Sequence, residues 1–383
     1  MTKKNNIKLA CILNIAPIYR NGIYKLIIES FDCHFFFGEK AAYGSSIKTI
    51  PMKFFDGRAT LIENRSFICP PLWWQPGVIR QFFHSYNRFL ITGDFYSIST
   101  WIILFLSIFF PSKKIITWTH GWYGRESKVK IFIKKIFFSM CDAVLVYGNH
   151  AKRLMCENGL DCKKIYAVHN SLNFEEHKKI LTTLQHTDIM FEHFKNHDPV
   201  IIFIGRLIAD KKIGYLLDAA SLLKKENCNI NLLIIGDGPE KSSLQKKAEE
   251  NGLSVWFYGP CYDENINAQL IFDSQLCVIP GDAGLTIIHS MTFGCPVITH
   301  DNISKHGPEF EAIQENVSGA FYKENDIADL AKKIKLWCFQ KTISEADKKT
   351  CMDIIRREWT PEFQIKVIEK ALNEITANQF CRE

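Results

Sequence analysis

The sequence has 383 residues, which is enough for two domains of ordinary size. Its 47% hydrophobic and 23% charged residues are typical of a globular protein and exclude a disordered one. Residues 1–190 carry 25 Lys and Arg against 13 Asp and Glu, whereas the remainder carries 22 against 28. This uneven charge indicates that the two halves meet different partners.

The first 190 residues alternate between apolar runs of strand length and segments of helical character. We predict helices beginning near Ile23 and over 127–139 and 149–157, with strands over 7–15, 33–37, 47–55, 89–93, 115–119, 143–147 and 165–168. Strands that alternate with helices indicate βαβ units and therefore a parallel sheet. A first strand also explains the N-terminus better than a signal peptide does, because no cleavage pattern is present.

Two apolar segments of this half need separate interpretation. The run 101–110 is shorter than the ~20 residues of a spanning helix, so we predict a helix buried against the sheet. The segment 128–138, KVKIFIKKIFF, mixes lysines with aromatic residues. It suits either a membrane surface or ordinary packing, and the lysines do not gather on one helical face.

Residues 175–199 are polar and are the best candidate for a linker, after which the alternation restarts. We predict helices over 213–225 and 326–337 and strands over 200–204, 230–235 and 255–258. A last helix should begin at Pro361, because Thr360 can cap it and proline is favoured in the first turn. Its apolar stripe requires a surface to cover.

The segment Ile279–His300 reads as a strand end, a glycine loop, a helix over 285–293 and another strand. A glycine loop that opens a helix favours anion binding, although an ordinary turn would look the same. Arg206 directly follows the strand 200–204, and Lys211 comes five residues later. A guanidinium and an ammonium group at one strand end suit a diphosphate.

Several of these motifs occur in one order: Arg206-Leu207 through Lys211, Gly236-Asp237-Gly238-Pro239, Gly259, the loop 280–286, 294–298 and Gly319. Together they resemble the donor domain of the GT-B-fold glycosyltransferases of group 1 (family 4), mainly over residues 198–358. The resemblance implies an α/β fold of two doubly wound, Rossmann-like domains that face a cleft. It implies an acceptor domain over 1–190, a donor domain over 198–358, and a C-terminal helix over 359–383 that returns to the first domain.

The resemblance also implies roles for single residues. Arg206 and Lys211 would bind the diphosphate of a nucleotide-sugar, and backbone amides at the helix start would assist them. The residues expected at the donor are Arg206, Lys211, Gly238, Gly259, Tyr262, Gly284, Leu285, Thr286 and His289. His120, which follows a predicted strand, would face the donor sugar from the opposite domain, although a lone histidine there is often structural.

One departure from the family pattern concerns two glutamates that are usually eight positions apart. Gly281 and His289 occupy those positions. A histidine can still hydrogen-bond a ribose hydroxyl, whereas glycine cannot contact the sugar. Asp282 could substitute for the first glutamate, so we name it with His120 as a catalytic candidate.

We therefore predict a glycosyltransferase that moves a sugar from a nucleotide diphosphate donor to a lipid-linked or polysaccharide acceptor in surface glycan synthesis. A noncatalytic nucleotide-sugar-binding homologue and an epimerase of the same fold remain open. No cofactor or metal is expected, because the chain lacks an Asp-x-Asp sequence after a strand and its thirteen cysteines form no C-x-x-C pairs. The cysteines favour a reduced, cytoplasmic protein. The charge favours peripheral contact with an anionic membrane over nucleic acid.

Overall fold

The computed structural model describes residues 7–42, 48–67, 71–341 and 343–380. The chain divides into two compact units. Unit 1 comprises Met1–Asn173 and Thr360–Glu383, and unit 2 comprises Phe174–Trp359. This boundary falls earlier than the sequence suggested.

The elements alternate along the chain in the order that the sequence predicts for most of its length. The strands are β1 (Lys8–Leu13), β2 (Asp32–Gly38), β3 (Ala59–Ile62), β4 (Arg65–Ser66), β5 (Trp73–Trp74), β6 (Arg88–Thr92), β7 (Lys114–Thr119), β8 (Ala143–Val146), β9 (Ile165–Ala167), β10 (Val200–Ile204), β11 (Asn231–Ile235), β12 (Ser254–Gly259), β13 (Leu276–Val278), β14 (Val297–His300) and β15 (Gly319–Tyr322). The helices are α1 (Asn21–Ser30), α2 (Val78–Phe82), α3 (Ile98–Phe109), α4 (Lys128–Ser139), α5 (Asn149–Glu157), α6 (Phe174–Leu181), α7 (Ile189–Phe194), α8 (Ile213–Lys225), α9 (Lys241–Glu250), α10 (Glu264–Phe272), α11 (Thr286–Thr292), α12 (Ile327–Lys335), α13 (Glu345–Glu358) and α14 (Pro361–Phe380).

Unit 1 is built on a parallel sheet whose described strands run in the order β3-β2-β1-β6-β7-β8-β9. Both faces of this sheet are covered, and each face has its own apolar core. Buried strands covered on both sides read as continuous apolar runs, which is why β1, β6 and β8 were recognisable. A short antiparallel pair, β4 and β5, lies outside the main sheet.

The C-terminal helix α14 belongs to unit 1 and packs against α1. Its apolar stripe lies in the same core as Tyr24 and Ile27 of α1; the stripe consists of Ile365, Ile368, Leu372 and Ile375. Gln364 strengthens the attachment, because its side chain accepts a hydrogen bond from the Ser171 hydroxyl (2.6 Å) and donates one to the His169 carbonyl (2.8 Å). The stripe therefore covers the sheet of unit 1.

Unit 2 is built on a second parallel sheet, whose described strands run in the order β12-β11-β10-β13-β14-β15. Helix α8 and strand β10 have the predicted bounds. The segment 175–199, predicted as a linker, instead contains most of α6 and all of α7. Its polar composition is explained by one buried face on each helix, which includes His177 and Ile180 on α6 and Met190 on α7.

One further sequence prediction of local structure was wrong, and another was right only in part. The predicted strand 47–55 contains a 3₁₀ turn, Met52–Phe55, in its described part, and Ile47 lies outside the described residues. Pro51 precedes this turn, and its fixed φ suits a turn better than a strand. The apolar run 101–110 forms α3 but is buried on one side only, since Phe105, Ile108 and Phe109 are exposed.

None of the helices in the described ranges combines the length and the apolar character that a membrane span requires. The structure records a disulfide between Cys156 and Cys162, which the sequence analysis did not predict. The other cysteines in the described part of the chain are free thiols, and most of them are buried.

Candidate functional site

The order of strands in unit 2 reverses direction at β10. The chain moves outward from β10 to β11 and β12 on one side, and then to β13, β14 and β15 on the other. At such a switch point the loops after the two central strands separate and leave a crevice at the carboxyl ends. Arg206 and Lys211 follow β10, and Asp282 follows β13, so all three lie at this crevice.

Lys211 connects the two loops. Its ammonium group donates a hydrogen bond to the carbonyl oxygen of Asp282. The backbone N–H of Asp282 donates to the carbonyl oxygen of Asp210 at 3.1 Å. Burial lowers the pKa of Lys211; the negative charge of Asp282 opposes this effect, and the positive charge of Arg206 adds to it. An anion bound between Arg206 and Lys211 would relieve their repulsion.

Arg206 is exposed, and its guanidinium group makes no hydrogen bond or ion pair within the described ranges. The backbone amides of Gly284, Leu285 and Thr286 also donate to no other group in the described part of the protein. Helix α11 begins at Thr286, one residue later than predicted, and has only seven residues. Its dipole is therefore a minor source of positive potential beside the two cations and the three amides.

Hydrogen bonds from two buried side chains hold the loop after β13 in place. The buried Tyr322 hydroxyl donates to the Pro280 carbonyl at 2.5 Å. His306 accepts from the Ala283 amide through Nδ1 (3.1 Å), and its Nε2 lies 2.8 Å from the His300 carbonyl, which fixes the Nε2–H tautomer. Burial lowers the pKa of His306, so the neutral form that this arrangement requires is favoured.

Close packing of the backbone requires glycine at Gly238, a predicted donor-site residue, and at Gly281, where the family usually has a glutamate. A Cβ atom on Gly281 would lie 1.9 Å from the carbonyl oxygen of Asp210, and one on Gly238 would lie 2.3 Å from that of Leu207. Both distances are shorter than any contact a Cβ tolerates. The missing glutamate at position 281 therefore has a structural reason, because no side chain fits there without moving the loop that carries Lys211. Gly259 has a φ of +87°, which favours glycine for a different reason.

His289 lies in a hydrogen-bonded cluster that the sequence analysis missed. Its Nε2 is 2.6 Å from Oε1 of Glu264, and Nε2 of His177 is 3.0 Å from the same oxygen. Asp263 caps α10 and so places Glu264 at the first helical residue. Burial raises the pKa of Glu264. The hydrogen bonds from His177 and His289 outweigh this effect and lower the pKa to about 2.

The same three side chains could in principle offer ligands to a metal, since their donor atoms lie within 4.8 Å of one another. In a tetrahedral zinc site with Zn–N distances of about 2.0–2.1 Å, ligand atoms are about 3.3 Å apart. The observed separations of 2.6 and 3.0 Å are shorter and match hydrogen bonds. We therefore interpret the cluster as a carboxylate that orients two imidazole rings.

Unit 1 carries a cavity of about 640 Å³ at the carboxyl ends of its central strands. The strand order reverses between β1 and β6, so this cavity also lies at a switch point. Its lining is rich in basic and aromatic side chains and includes Arg20, His120, Arg125, Lys130 and Lys134. Lys134 forms a buried ion pair with Glu126 at 2.9 Å. Beside this pair, Arg20, Arg125 and Lys130 outnumber the acidic Asp94 in the lining, so the cavity is basic.

Arg20 and His120 share aromatic neighbours in this cavity. The guanidinium of Arg20 donates to the hydroxyl of Tyr147 and lies 4.8 Å from the ring centre of Trp118. The His120 ring packs against the Tyr147 ring with centroids 4.7 Å apart. Desolvation, and then the positive charges of Arg20 and Lys134, lower the pKa of His120. Because the His120 side chain is exposed to solvent, the two positive charges lower its pKa more than desolvation does.

The sequence from residue 185 to residue 351 matches the family model of the group 1 glycosyl transferases. We call these matched residues the group 1 domain. This domain lies within unit 2 and contains the predicted donor-site residues.

Curated relatives of the group 1 domain are similar to parts of the chain. One is a *Campylobacter jejuni* enzyme named GalNAc-alpha-(1->4)-GalNAc-alpha-(1->3)-diNAcBac-PP-undecaprenol alpha-1,4-N-acetyl-D-galactosaminyltransferase, 26% identical over 61% of this chain and 63% of that protein. Another is the *Staphylococcus aureus* poly(ribitol-phosphate) alpha-N-acetylglucosaminyltransferase, 25% identical over 48% of this chain and 34% of that protein. The matched part thus spans less than two thirds of these relatives.

Solved structures cover nearly the whole chain. HepE from Anabaena, in complex with UDP, superposes with a TM-score of 0.71 at 14% identity, and the match covers 96% of this chain and 100% of that one. The apo form of WaaB, a lipopolysaccharide outer core galactosyltransferase, gives a TM-score of 0.68 at 15% identity over 97% and 100%. The chain therefore has the GT-B fold, with the two Rossmann-like sheets described above.

The structure brings several of the predicted residues of unit 2 together. Arg206, Lys211, Asp282 and the amides 284–286 meet at one crevice of the group 1 domain, whereas His120 lies in the cavity of unit 1. Tyr262 is largely exposed, in the loop after β12. The residues that sequence reasoning missed are Glu264, His177, His306, Tyr322 and Arg20. Their partners are distant in sequence, so spacing alone gave no signal.

Proposed function

We propose that this protein is a nucleotide-sugar-dependent glycosyltransferase whose group 1 domain binds the donor. The observation that carries the proposal is the crevice at the switch point. It presents two cations, Arg206 and Lys211, and three backbone amides without protein acceptors, at 284–286. A diphosphate offers the negative charge and the acceptor oxygens that this set requires. The UDP complex of HepE, a protein of the same fold, supports this choice of ligand.

In the proposed reaction, the bond between the anomeric carbon and the diphosphate oxygen breaks while a bond to an acceptor hydroxyl oxygen forms. Arg206, Lys211 and the amides would stabilise the negative charge of the departing diphosphate, and we expect no metal requirement. The hydroxyl proton must pass to a base. His120 suits that role because its lowered pKa keeps the imidazole neutral at pH 7. The carboxylate of Asp282 at the crevice is the second candidate.

We further propose that the cavity of unit 1 receives a lipid-linked or polysaccharide acceptor. Its basic lining suits an acceptor that carries phosphate or another anionic group. The names of the *Campylobacter* and *Staphylococcus* relatives describe acceptors linked to undecaprenyl diphosphate and to poly(ribitol phosphate), which supports an acceptor of that class.

The donor site is tested by comparing two neighbouring lysines. Lys211→Met removes the ammonium group at the crevice. Lys212→Met removes one whose Nζ instead contacts Asn325 (2.7 Å) and Glu324 (3.2 Å). A charge-assisted contact contributes about 1.5–3 kcal/mol, so Lys211→Met should weaken nucleoside diphosphate binding by roughly ten- to a hundredfold. Lys212→Met should change it by less than about threefold, since a distant charge is screened.

Isothermal calorimetry with uridine and guanosine diphosphates gives the affinities, and product formation with and without acceptor gives the reaction class. Equal affinity in the two variants would refute the site. Tight binding of a nucleotide-sugar without transfer to any acceptor would favour the noncatalytic homologue, for which the absence of a carboxylate at Gly281 is the specific observation. Conversion of the sugar without acceptor would favour the epimerase.

A further inference from the structure

Two helices of unit 1 turn apolar faces toward solvent. On α4 the exposed side chains recur at helical spacing: Val129, Phe132, Ile133 and Ile136. On α3 they are Phe105, Ile108 and Phe109. The most exposed of them are Val129, Phe109 and Phe132, at 69%, 64% and 63%. Soluble proteins rarely expose so many large apolar side chains together, so this surface is expected to have a partner.

The two faces belong to neighbouring helices on one side of the sheet. Strands β6, β7 and β8 are adjacent in that order, and right-handed crossovers place α3 and α4 on the same face of the sheet. The rings of Trp101 on α3 and Phe137 on α4 are in contact, with centroids 5.0 Å apart. Ile103 and Leu104 of α3 share a buried core with Phe137 and Phe138 of α4. We call the seven exposed residues the α3–α4 face.

The charge around the α3–α4 face is strongly one-sided. Between Phe95 and Cys141 the sequence has seven basic residues, and its single acidic residue is Glu126. Glu126 is buried and paired with Lys134, so it does not offset the exposed lysines. Lys128 and Lys135 are exposed on α4 beside the apolar residues. Large apolar side chains beside lysines are the pattern of a helix that lies in the interface of an anionic bilayer.

We propose that the α3–α4 face docks on the surface of an anionic lipid bilayer. Charge complementarity selects this partner: lysines attract anionic headgroups while the apolar side chains enter the acyl boundary. A second copy of the chain is disfavoured as the partner, because it would place two positive surfaces against each other.

Docking in this way would bring the acceptor cavity close to the membrane surface. Helix α4 exposes Val129, Phe132, Ile133 and Ile136 to solvent, whereas its Lys130 and Lys134 line the cavity of unit 1. The same short helix would therefore contact headgroups on one side and acceptor on the other. This second step rests on the proposed function, whereas docking itself does not.

Flotation of the full chain with vesicles tests the docking. Vesicles of phosphatidylglycerol and phosphatidylcholine are compared with vesicles of phosphatidylcholine alone, at low and high salt. We expect at least about tenfold tighter binding to the anionic vesicles and loss of that preference at high salt. Phe109→Glu and Phe132→Glu should each weaken binding at least about tenfold, because a carboxylate opposes both insertion and the headgroup charge. Phe339→Glu, at an exposed phenylalanine of unit 2, is the matched control and should change nothing.

The charge is tested separately with a variant that combines Lys128→Gln and Lys135→Gln, which should reduce the preference for anionic vesicles while leaving the apolar residues in place. Circular dichroism and urea denaturation show whether each variant is folded. Absence of nucleoside diphosphate binding by the unmodified protein would overturn the proposed function without affecting the flotation result. Equal binding to both vesicle types, or retained binding by Phe132→Glu, would overturn the docking proposal. So would a dimer in sedimentation that Phe132→Glu dissociates, because a second copy would then cover the face.

Discussion

Replacing Glu264 by glutamine separates the charge of this side chain from its shape. The carboxylate accepts hydrogen bonds from His289 at 2.6 Å and His177 at 3.0 Å. These bonds, acting against burial, lower its pKa from 4.5 to about 2. A shift of that size corresponds to about 3 kcal/mol. This is an upper limit, because the side chain is 27% exposed and solvent screens part of the interaction.

Glutamine keeps one oxygen acceptor and loses the charge, so Glu264→Gln should lower the free energy of unfolding at pH 7 by about 1–2 kcal/mol. Glu264→Ala should cost more, about 2–4 kcal/mol, because His177 is buried and its Nδ1 already has no partner among the described residues. Urea denaturation measures both variants. Glu249→Gln, at an exposed glutamate of α9, is the control and should stay within about 0.5 kcal/mol of the unmodified protein.

The pH dependence decides whether charge is the cause. The folded-state pKa of Glu264 lies below the unfolded-state value, so its stabilisation is complete above about pH 4.5 and is lost as the pH falls toward 2. The difference in the free energy of unfolding between the unmodified protein and Glu264→Gln should therefore decrease as the pH falls through that range. The reasoning would be refuted if this difference were absent at pH 7 or stayed constant from pH 7 to pH 3. If His289 faces the ribose as predicted, nucleoside diphosphate affinity should fall as well.

Three further predictions concern the crevice and the cavity. Gly281→Ala should abolish nucleoside diphosphate binding, measured by calorimetry, because the new Cβ would lie 1.9 Å from the Asp210 carbonyl oxygen. Gly214→Ala on α8 has room for its Cβ and should raise the free energy of unfolding in urea by about 0.5–1 kcal/mol. Tyr322→Phe should lower the free energy of unfolding by about 1–2 kcal/mol, because it removes the buried 2.5 Å hydrogen bond to the Pro280 carbonyl. Unchanged stability in urea would show that this bond contributes little. The lowered pKa of His120 should leave it neutral at pH 6, so its protonation should not lower kcat/KM between pH 8 and pH 6. A fall in kcat/KM as the pH drops below about 6.5, absent from His120→Gln, would contradict this.

The fold of unit 2 could be predicted closely from the sequence for a physical reason. Strand β10 is a run of apolar residues buried on both faces, and it is followed directly by Gly205 and Arg206. Helix α8 has one apolar stripe, so its period is unambiguous. The family match over residues 185–351 confirmed the resemblance on which the donor-site predictions depended. The roles of the individual residues remain predictions.

The features that could not be predicted depend on contacts between residues far apart in the sequence, which no local pattern indicates. Helix α6 lies in a segment whose polar composition resembles a linker, and the partners of its His177 are 87 and 112 residues away in the sequence. The requirement for glycine at position 281 arises from the backbone of another loop, at Asp210 and Lys211. A sequence alone shows that a side chain is missing there, but not that there is no space for one.

Unit 2 is a continuous segment inserted into unit 1, whose two parts end at Asn173 and resume at Thr360. During synthesis, residues 174–359 leave the ribosome before α14 does. Until α14 follows, the core around Tyr24 and Ile27 lacks five of its buried apolar residues, those at 365, 368, 371, 372 and 375. A premature stop codon just after residue 359 would thus leave the group 1 domain intact in sequence and expose the core of the other unit. Such a product would be a substrate for chaperones and proteases rather than a smaller enzyme.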